Sequence, residues 1–311
     1  MSSPTAPWAQ AALPLVRGAL AWLHRNRRYG TLPPGITADV KGHGETYKAI
    51  GEVGLVCRMV LLAGAALPAE QARARRLLDF CWAQLGYGDL LFERQLRHTL
   101  VTDPVEIYAH LAAAGYRHQK LEELAAHCHR LRGVQAVEQY PNRRLAVANA
   151  LRRLRLPSSQ DWNALTDRTW LGHTPEPWTL DWDAAYCLTH TVYHLADWGC
   201  RPDGIPPHLV DYLHRWLPVW LDVWTETRHW DLVGELVAVD ACLPEPHYPL
   251  AAWRALAAAQ HATGYVPCEG TPEPQDEPQD EAKVFRRHRH TTCVTAMAGA
   301  LALRRASDAG P

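Results

Sequence analysis

Residues 230–243 read Trp-Asp-Leu-Val-Gly-Glu-Leu-Val-Ala-Val-Asp-Ala-Cys-Leu, which is apolar or small on nearly every face of a helix. A helix that is apolar all round is buried inside a larger protein. Segments 45–65, 181–198 and 288–305 have the same character, whereas segments such as 8–27 and 207–225 carry Arg and His along one face. The sequence therefore predicts an all-α fold with two kinds of helix, inner and outer.

Inner and outer segments alternate along the chain, separated by short breaks rich in Pro and Gly. The predicted outer–inner pairs are 8–27 with 45–65, 69–86 with 103–115, 118–131 with 142–155, 161–169 with 181–198, 207–225 with 230–243, and 247–261 with 288–305. Six such pairs predict a single-domain (α/α)6 toroid, a barrel of outer and inner helices, over residues 1–306 with a tail at 307–311. Because the inner character of 103–115 and 142–155 is ambiguous, an open helical solenoid is the alternative.

Residues 266–283 interrupt this pattern. They contain Pro-Gln-Asp-Glu twice, many acidic residues and no aromatic residue. Such a composition buries too little apolar surface to offset the entropy lost on ordering. We expect a disordered acidic loop here, and a lid over the central cavity is the alternative.

Composition excludes several classes of protein. The 311 residues include 32 Lys and Arg against 33 Asp and Glu, a net charge of -1, whereas a general nucleic-acid binder needs a basic surface. No uninterrupted run of 18 apolar residues occurs, so we expect no membrane span. The first residues lack the basic and apolar regions of a signal peptide, which favours a cytoplasmic protein.

The segment 181–198 carries the densest polar constellation in the sequence. Asp183, His190 and Asp197 are spaced seven apart, and Tyr186, Tyr193 and His194 lie near them at helical spacing. If this helix is an inner one, the polar stripe faces the cavity. His190, His194 and Asp197 then form a candidate two-His, one-carboxylate site for a divalent metal. The alternative is a buried hydrogen-bond network that fixes helix packing.

Other inner segments add ionisable groups near their beginnings. Glu235 lies one turn inside an apolar helix, Lys48 and Glu52 form an i, i+4 pair, and His290 opens the last inner segment. Charges are seldom buried without partners. We predict acid–base catalysis by His190, Glu235 and His290, with Lys48 and Asp183 positioning the substrate.

Two further groups of residues have simpler interpretations. Three acids at predicted helix beginnings, Asp103, Asp181 and Asp231, are typical of helix capping. A cluster of arginines is typical of a solvated helix face, with an anionic partner as the alternative; its members are Arg130, Arg132, Arg143, Arg144, Arg152, Arg153 and Arg155.

The C-terminal region resembles a known superfamily. Gln260-His-Ala-Thr-Gly264-Tyr-Val, followed after a loop by His288-Arg-His290-Thr-Thr, is similar to the last repeat of the terpenoid cyclase and protein prenyltransferase β-subunit toroids, and Gln84-Leu-Gly-Tyr-Gly88 is a weaker example. The resemblance implies an α/α toroid. Separately, the sequence from Tyr186 to Gly199 resembles that of an uncharacterised actinobacterial helical family.

The catalytic motifs of that superfamily are incomplete here. The prenyltransferase zinc site consists of an Asp, a Cys two residues later and a His from the last inner helix. His290 matches the His. Asp240-Ala-Cys242 has the Asp and Cys spacing, but it lies at the end of its predicted helix, whereas the Asp and Cys of the family lie at the beginning of theirs. At the position of the cyclase motif D-x-D-D this chain has Asp181-Trp-Asp183-Ala, which lacks the last Asp of the motif. The resemblance therefore implies the fold without the zinc chemistry.

These observations together predict a cytoplasmic toroid enzyme of specialised metabolism. The sequence contains no nucleophile elbow, P-loop or G-x-G-x-x-G motif, which argues against nucleotide-driven and nicotinamide chemistry. We expect a small hydrophobic or peptide-like substrate, and a lyase, cyclase or transferase reaction by acid–base or metal-assisted chemistry. The alternatives are a non-catalytic binding or scaffold protein, and a terpene cyclase or prenyltransferase proper.

Overall fold

The computed structural model describes residues 6–39, 43–271 and 280–308, with the backbone alone for 43–46. These residues form α-helices, short 3-10 turns and loops, and no β-strand occurs among them. The α-helices are α1 Pro7–Asn26, α2 His43–Ala63, α3 Gln71–Gln84, α4 Asp89–Arg97, α5 Asp103–Ala113, α6 Gln119–Cys128, α7 Arg132–Gln135, α8 Pro141–Leu154, α9 Trp162–Asp167, α10 Trp182–Leu195, α11 Pro207–Glu226, α12 Trp230–Cys242, α13 Leu250–Ala259 and α14 Glu281–Asp308.

The all-α prediction is confirmed, and each of the twelve predicted segments contains a helix. Two short helices, α4 and α7, were not predicted. Helix α7 is a single turn, and α4 follows Gly88, whose φ of 100° breaks the chain direction after α3. Helix α7 is too short to show a repeated apolar stripe, which is the signal that identifies longer helices.

Six helices pack in a closed cycle of contacts. Helix α2 packs on α5, α5 on α8, α8 on α10, α10 on α12, α12 on α14, and α14 returns to α2. The remaining long helices pack outside this cycle; α1 and α13, for example, lie against α14 and α12. Every residue of α12 is buried, as its sequence predicts.

The Gln260–Gly264 turn ties α13 to α1. The Gln260 side-chain amide donates to the carbonyl oxygens of Leu15 and Gly264, at 2.9 Å each. Gly264 has a φ of 109°, and a Cβ atom there would lie 2.3 Å from the carbonyl oxygen of Gly18. Glycine is required at this position, because it alone accepts both the conformation and the close approach.

The predicted disordered loop at 266–283 is wrong at both of its ends. Val266 is buried and donates its backbone N–H to Thr292 Oγ1 at 3.0 Å, and Gly270 accepts from the Trp230 indole at 2.6 Å. At the other end, residues 281–283 form the first turn of α14. Residues 272–279, and with them the lid alternative, lie outside the described residues. In the predicted tail, residues 307 and 308 still belong to α14, and 309–311 are also outside that range.

One stretch bears on the expectation of no membrane span. Residues Tyr47–Ala66 are long and apolar enough to cross a bilayer by length and composition alone, with a mean hydropathy of 1.7. However, 61% of this window is buried within the molecule, as in the core helix of a globular protein.

Candidate functional site

A cavity of about 550 Å³ lies between the six helices of the closed cycle. Each of these helices contributes to its wall, which combines apolar side chains such as Ile107, Val294 and Met297 with ionisable ones. Sites for small molecules have this character, an apolar concavity with a few placed polar groups.

The six helices run in the same direction around the cavity. Glu106 and Arg143 pair near the beginnings of α5 and α8, and Arg153 and Asp197 pair near the ends of α8 and α10. The beginnings of the helices therefore form one end of the cavity. Arg143 at that end is 45% exposed, whereas Arg153 at the other is 6% exposed. We call these the open end and the closed end.

His290 at the open end is held as a cation. Its Nδ1 lies 2.8 Å from Glu52 Oε1, and its Nε2 lies 3.5 Å from Asp231 Oδ2. Burial by itself would lower the pKa of His290, but the hydrogen bond and charge of Glu52, with the charge of Asp231, raise it to about 9. The imidazole is therefore protonated at neutral pH.

Glu52 is the matching anion. Burial would raise its pKa, but the hydrogen bond with His290 and the charges of His290, Arg289 and Lys48 lower it to about 2. Arg289 Nε donates to Glu52 Oε2 at 3.1 Å, and Lys48 Nζ lies 3.8 Å from Oε1. Lys48 is 47% exposed at the open end of the cavity.

Asp231 is part of the site and does not cap its helix. It is buried, accepts from the Tyr186 hydroxyl at 2.5 Å and accepts from Thr291 at 2.6 Å. The N-cap of α12 is His229, whose ring nitrogen accepts the backbone N–H of Leu232. Among the three predicted capping acids, only Asp181 caps a helix, α10; Asp103 pairs with Arg94 at 2.7 Å. The capping interpretation is therefore wrong for Asp231 and Asp103.

Glu235 is buried on α12 and lines the cavity. Its Oε2 has no hydrogen-bond partner among the described residues. The Tyr193 hydroxyl donates to the backbone carbonyl of Glu235 at 2.7 Å, which fixes this turn of α12 against α10. A buried carboxylate oxygen without a partner costs free energy, and a ligand group that donates to it would remove that cost.

His190 presents a basic nitrogen to the cavity. Its Nδ1 lies 2.8 Å from the backbone carbonyl oxygen of Tyr186, one turn earlier on α10. A carbonyl oxygen only accepts, so Nδ1 carries the proton of the neutral ring and Nε2 keeps its lone pair. This tautomer is the one that a general base requires, because Nε2 is left free to take a proton.

The structure does not assemble the predicted metal set of His190, His194 and Asp197. Asp197 lies beyond the end of α10 and pairs with Arg153, while Arg58 lies 4.0 Å away. No group of three or more His, Cys, Asp or Glu side chains within residues 6–39, 47–271 and 280–308 is arranged to hold a metal ion. Of the set, only His190 and His194 line the cavity.

Asp183 is also absent from the cavity wall, because it is exposed at the beginning of α10. The residues of α10 that line the cavity are Tyr186, His190 and His194, spaced four apart and continued beyond the helix by Trp198. The predicted spacing of seven extended past both ends of the part of α10 that lines the cavity, because Asp183 lies in the exposed first turn and Asp197 follows the last residue of the helix. His190, Glu235, His290 and Lys48 all line the cavity as predicted.

Sequence reasoning missed the polar groups at the closed end. Arg153 and His110 line the cavity there, and Arg153 was interpreted as part of a solvated face. The signal that identifies them is helical spacing, because Arg143, Ala146, Ala150 and Arg153 share one face of α8.

The described residues therefore define an all-helical protein with an internal cavity. One protein family matches the sequence over residues 16–300, a domain of unknown function (DUF6895). Because this match covers most of the chain, the protein belongs to that family. No curated protein and no solved structure matches the chain.

Proposed function

We propose that the protein is a single-domain (α/α)6 toroid, and that it is a cytoplasmic enzyme converting a small hydrophobic or peptide-like metabolite by acid–base chemistry in its cavity. The fold part of this proposal draws support from the contact between α14 and α2, the last and the first helices of the cycle. An open solenoid has no such contact between its ends. The resemblance of the Gln260–Gly264 turn to that of terpenoid cyclase toroids points to the same architecture.

One observation carries the enzyme proposal. Glu235 Oε2 and the lone pair of His190 Nε2, which have no partner among the described residues, belong to side chains that line the same largely apolar cavity. Acid–base catalysis needs a proton acceptor that is not already engaged in a hydrogen bond within the protein. Low polarity around such groups strengthens their interaction with a bound substrate.

His190, His290 and Glu235 have different roles in this proposal. His190 takes a proton from the substrate at Nε2. His290, a cation fixed between two carboxylates, stabilises negative charge that develops on the substrate. Glu235 binds the donor group that orients the reacting carbon, and Lys48 contacts polar parts of the substrate at the open end. Removal of a proton next to a stabilised negative charge fits a lyase, cyclase or transferase reaction.

The terpene cyclase and prenyltransferase alternative gains no support from the site. Asp183, which would belong to the acid motif, is exposed, and Asp240 at the end of α12 accepts the backbone N–H groups of His247 and Tyr248. In the binding or scaffold alternative, Glu235 and His190 would instead stabilise the packing of the helices.

The variants Glu235→Gln and His190→Ala separate catalysis from packing. We expect Glu235→Gln to keep or raise the free energy of unfolding, because it replaces a buried charge with a neutral isostere. Both variants are incubated with a fractionated small-molecule extract of bacterial cells, and depleted or new compounds are followed by mass spectrometry. We expect compounds changed by the wild type and by the exposed control Asp183→Asn to be unchanged by the two variants.

The opposite result is equally clear. A loss of several kcal/mol of stability in Glu235→Gln would assign a packing role to this carboxylate. Conversion by both variants at the wild-type rate would exclude acid–base chemistry by His190 and Glu235.

A further inference from the structure

The closed end of the cavity carries more buried positive charge than negative charge. The guanidinium groups of Arg58 and Arg153 are each 6% exposed, and both are directed at the single carboxylate of Asp197. Arg153 donates to Asp197 through Nε, at 3.2 Å, and through Nη2. Arg58 also donates to the sulfur atoms of Met59 and Cys200. One positive charge is therefore left without a carboxylate among these groups.

Two histidines at this end do not add to the charge. Burial and the nearby arginines lower the pKa of His110 and of His194 well below the ordinary value, so both rings are neutral at pH 7. Neither ring nitrogen of His194 has a hydrogen-bond partner among the described residues, although the side chain is 7% exposed and lines the cavity. A neutral imidazole always carries one N–H, so His194 offers an unused donor to the cavity.

We propose that the closed end of the cavity binds the carboxylate of a small ligand, through the guanidinium of Arg153 and a ring N–H of His194. The two side chains belong together, because Arg153 is bonded to Asp197 and Asp197 follows His194 by three residues. Arg153 Nη1 donates to the His110 ring at 3.3 Å and forms no contact with Asp197, so its second N–H is available to a ligand oxygen. The inference rests on the proposed function, since it assigns the class of substrate to the same cavity.

Charge and surroundings favour a carboxylate over a phosphate. Arg152 also acts on Asp197, but it donates to the backbone carbonyls of His194 and Leu195 and is not part of the cavity wall. The one excess positive charge of Arg58, Arg153 and Asp197 is neutralised by a monoanion, whereas a phosphate monoester carries nearly two charges at pH 7. The neighbouring wall is apolar and aromatic, with Val56, Trp198 and Met297. A buried charge in such surroundings is tolerated only when it is balanced.

The geometry also sets the length of the ligand. The rings of His190 and His194 have centroids 6.3 Å apart. A carboxylate bound to His194 therefore places the reacting atom about four or five bonds away, against His190 Nε2. The substrate class is a small hydrophobic carboxylic acid, including a short peptide with a free C-terminus.

Four probes of nearly equal shape test this assignment on the full chain: 4-phenylbutanoate, 4-phenylbutanamide, 4-phenylbutylamine and 4-phenylbutyl phosphate. Binding is measured by calorimetry at pH 7. We expect the carboxylate to bind roughly tenfold to a hundredfold more tightly than the amide, the range for hydrogen bonds to a charged group. We expect the amine and the phosphate to bind more weakly than the carboxylate.

Variants locate the binding groups. The variant Arg153→Gln removes the proposed binding guanidinium and the excess positive charge, and Arg58 remains 4.0 Å from Asp197, so that no carboxylate is stranded. We expect it to remove most of the preference for the carboxylate over the amide, and we expect His194→Phe to reduce that preference as an independent test. The control Arg155→Gln changes an exposed arginine on the same part of the chain and should bind all probes as the wild type does.

Each contrary result overturns a defined part of the reasoning. Equal binding of the carboxylate and the amide, or an unchanged preference in both variants, rejects the carboxylate site while the proposed enzyme stands. Tighter binding of the phosphate rejects the carboxylate assignment. Failure of all four probes to bind rejects both the carboxylate site and the cavity as a ligand site.

Discussion

Replacing Glu52 by Gln should convert His290 from a permanent cation into a group that titrates near or below neutral pH. In the wild type, the pKa of His290 is raised from 6.5 to about 9, although burial acts in the opposite direction. Glutamine can keep a hydrogen bond to Nδ1 but removes the negative charge 2.8 Å away. The remaining carboxylates, Asp231 at 3.5 Å and Glu235, must then oppose both burial and the charge of Arg289.

The magnitude follows from the size of the shift. Each pKa unit corresponds to about 1.4 kcal/mol of differential interaction, so the whole shift amounts to about 3 kcal/mol. Because the ring of His290 is 33% exposed, solvent screening reduces this figure, and we expect about 2 kcal/mol. Loss of most of this interaction should lower the midpoint in Glu52→Gln to about 7 or less.

The same shifts fix the pH dependence of stability. The His290 pKa is raised on folding, so its contribution is complete below pH 6.5 and is lost as the pH rises through about 9. The Glu52 pKa is lowered, so its contribution is complete above pH 4.5 and is lost as the pH falls through about 2. The pair should therefore stabilise the protein most between pH 4.5 and 6.5.

Two measurements check this prediction. The His290 Cε1–H resonance, assigned with a His290→Gln variant, is titrated by NMR in the wild type, in Glu52→Gln and in the exposed control Glu226→Gln. Urea unfolding at pH 6 and pH 9.5 should show that the wild type loses about 2 kcal/mol between these values and that Glu52→Gln loses much less. A midpoint near 9 in Glu52→Gln would refute the electrostatic reasoning.

Three further predictions concern folding. Tyr193→Phe should cost about 1 kcal/mol in urea unfolding, because it removes the buried hydrogen bond that the hydroxyl donates to the Glu235 carbonyl oxygen at 2.7 Å. Gly264→Ala should cost more than about 2 kcal/mol in the same assay, because φ is 109° and the new Cβ would lie 2.3 Å from the Gly18 carbonyl oxygen; a smaller loss would mean that the turn relaxes easily. Cys57 should resist iodoacetamide at pH 8 until the protein is unfolded, because complete burial raises its thiol pKa, and rapid labelling of the native protein, seen by mass spectrometry, would contradict its burial.

The helices could be predicted because their signal is local. Thirteen consecutive residues of α12 are buried, and the run from Trp230 to Cys242 shows this directly in its composition. Helix α4 and the ordered stretch 266–270 could not be predicted in the same way. The order at 266–270 comes from distant partners, such as Thr292 Oγ1 and the Trp230 indole, which a local reading of composition does not contain.

The site was predictable in its residue types and less so in their pairing. His190, Glu235, His290 and Lys48 were identified because ionisable groups in apolar helices are rare. The extent of the polar stripe on α10 was misjudged, since Asp183 shares a face with His190 but lies in the exposed first turn, and Asp197 lies beyond the last residue of the helix. Arg153 was misassigned because a run of arginines looks solvated until the neighbouring helix that supplies Asp197 is known.

Glu235 and His194 together make the strongest case for a ligand. Asp231 lies one turn before Glu235 on the same buried helix, yet its two oxygens accept hydrogen bonds from Tyr186 and Thr291. Glu235 Oε2 and both nitrogens of His194 have no such partners among the described residues, although α10 and α12 are otherwise closely packed. Leucine at either position would avoid the cost of an unsatisfied polar group. Since both side chains line the same cavity, this cost is best explained by the hydrogen bonds that a bound molecule supplies.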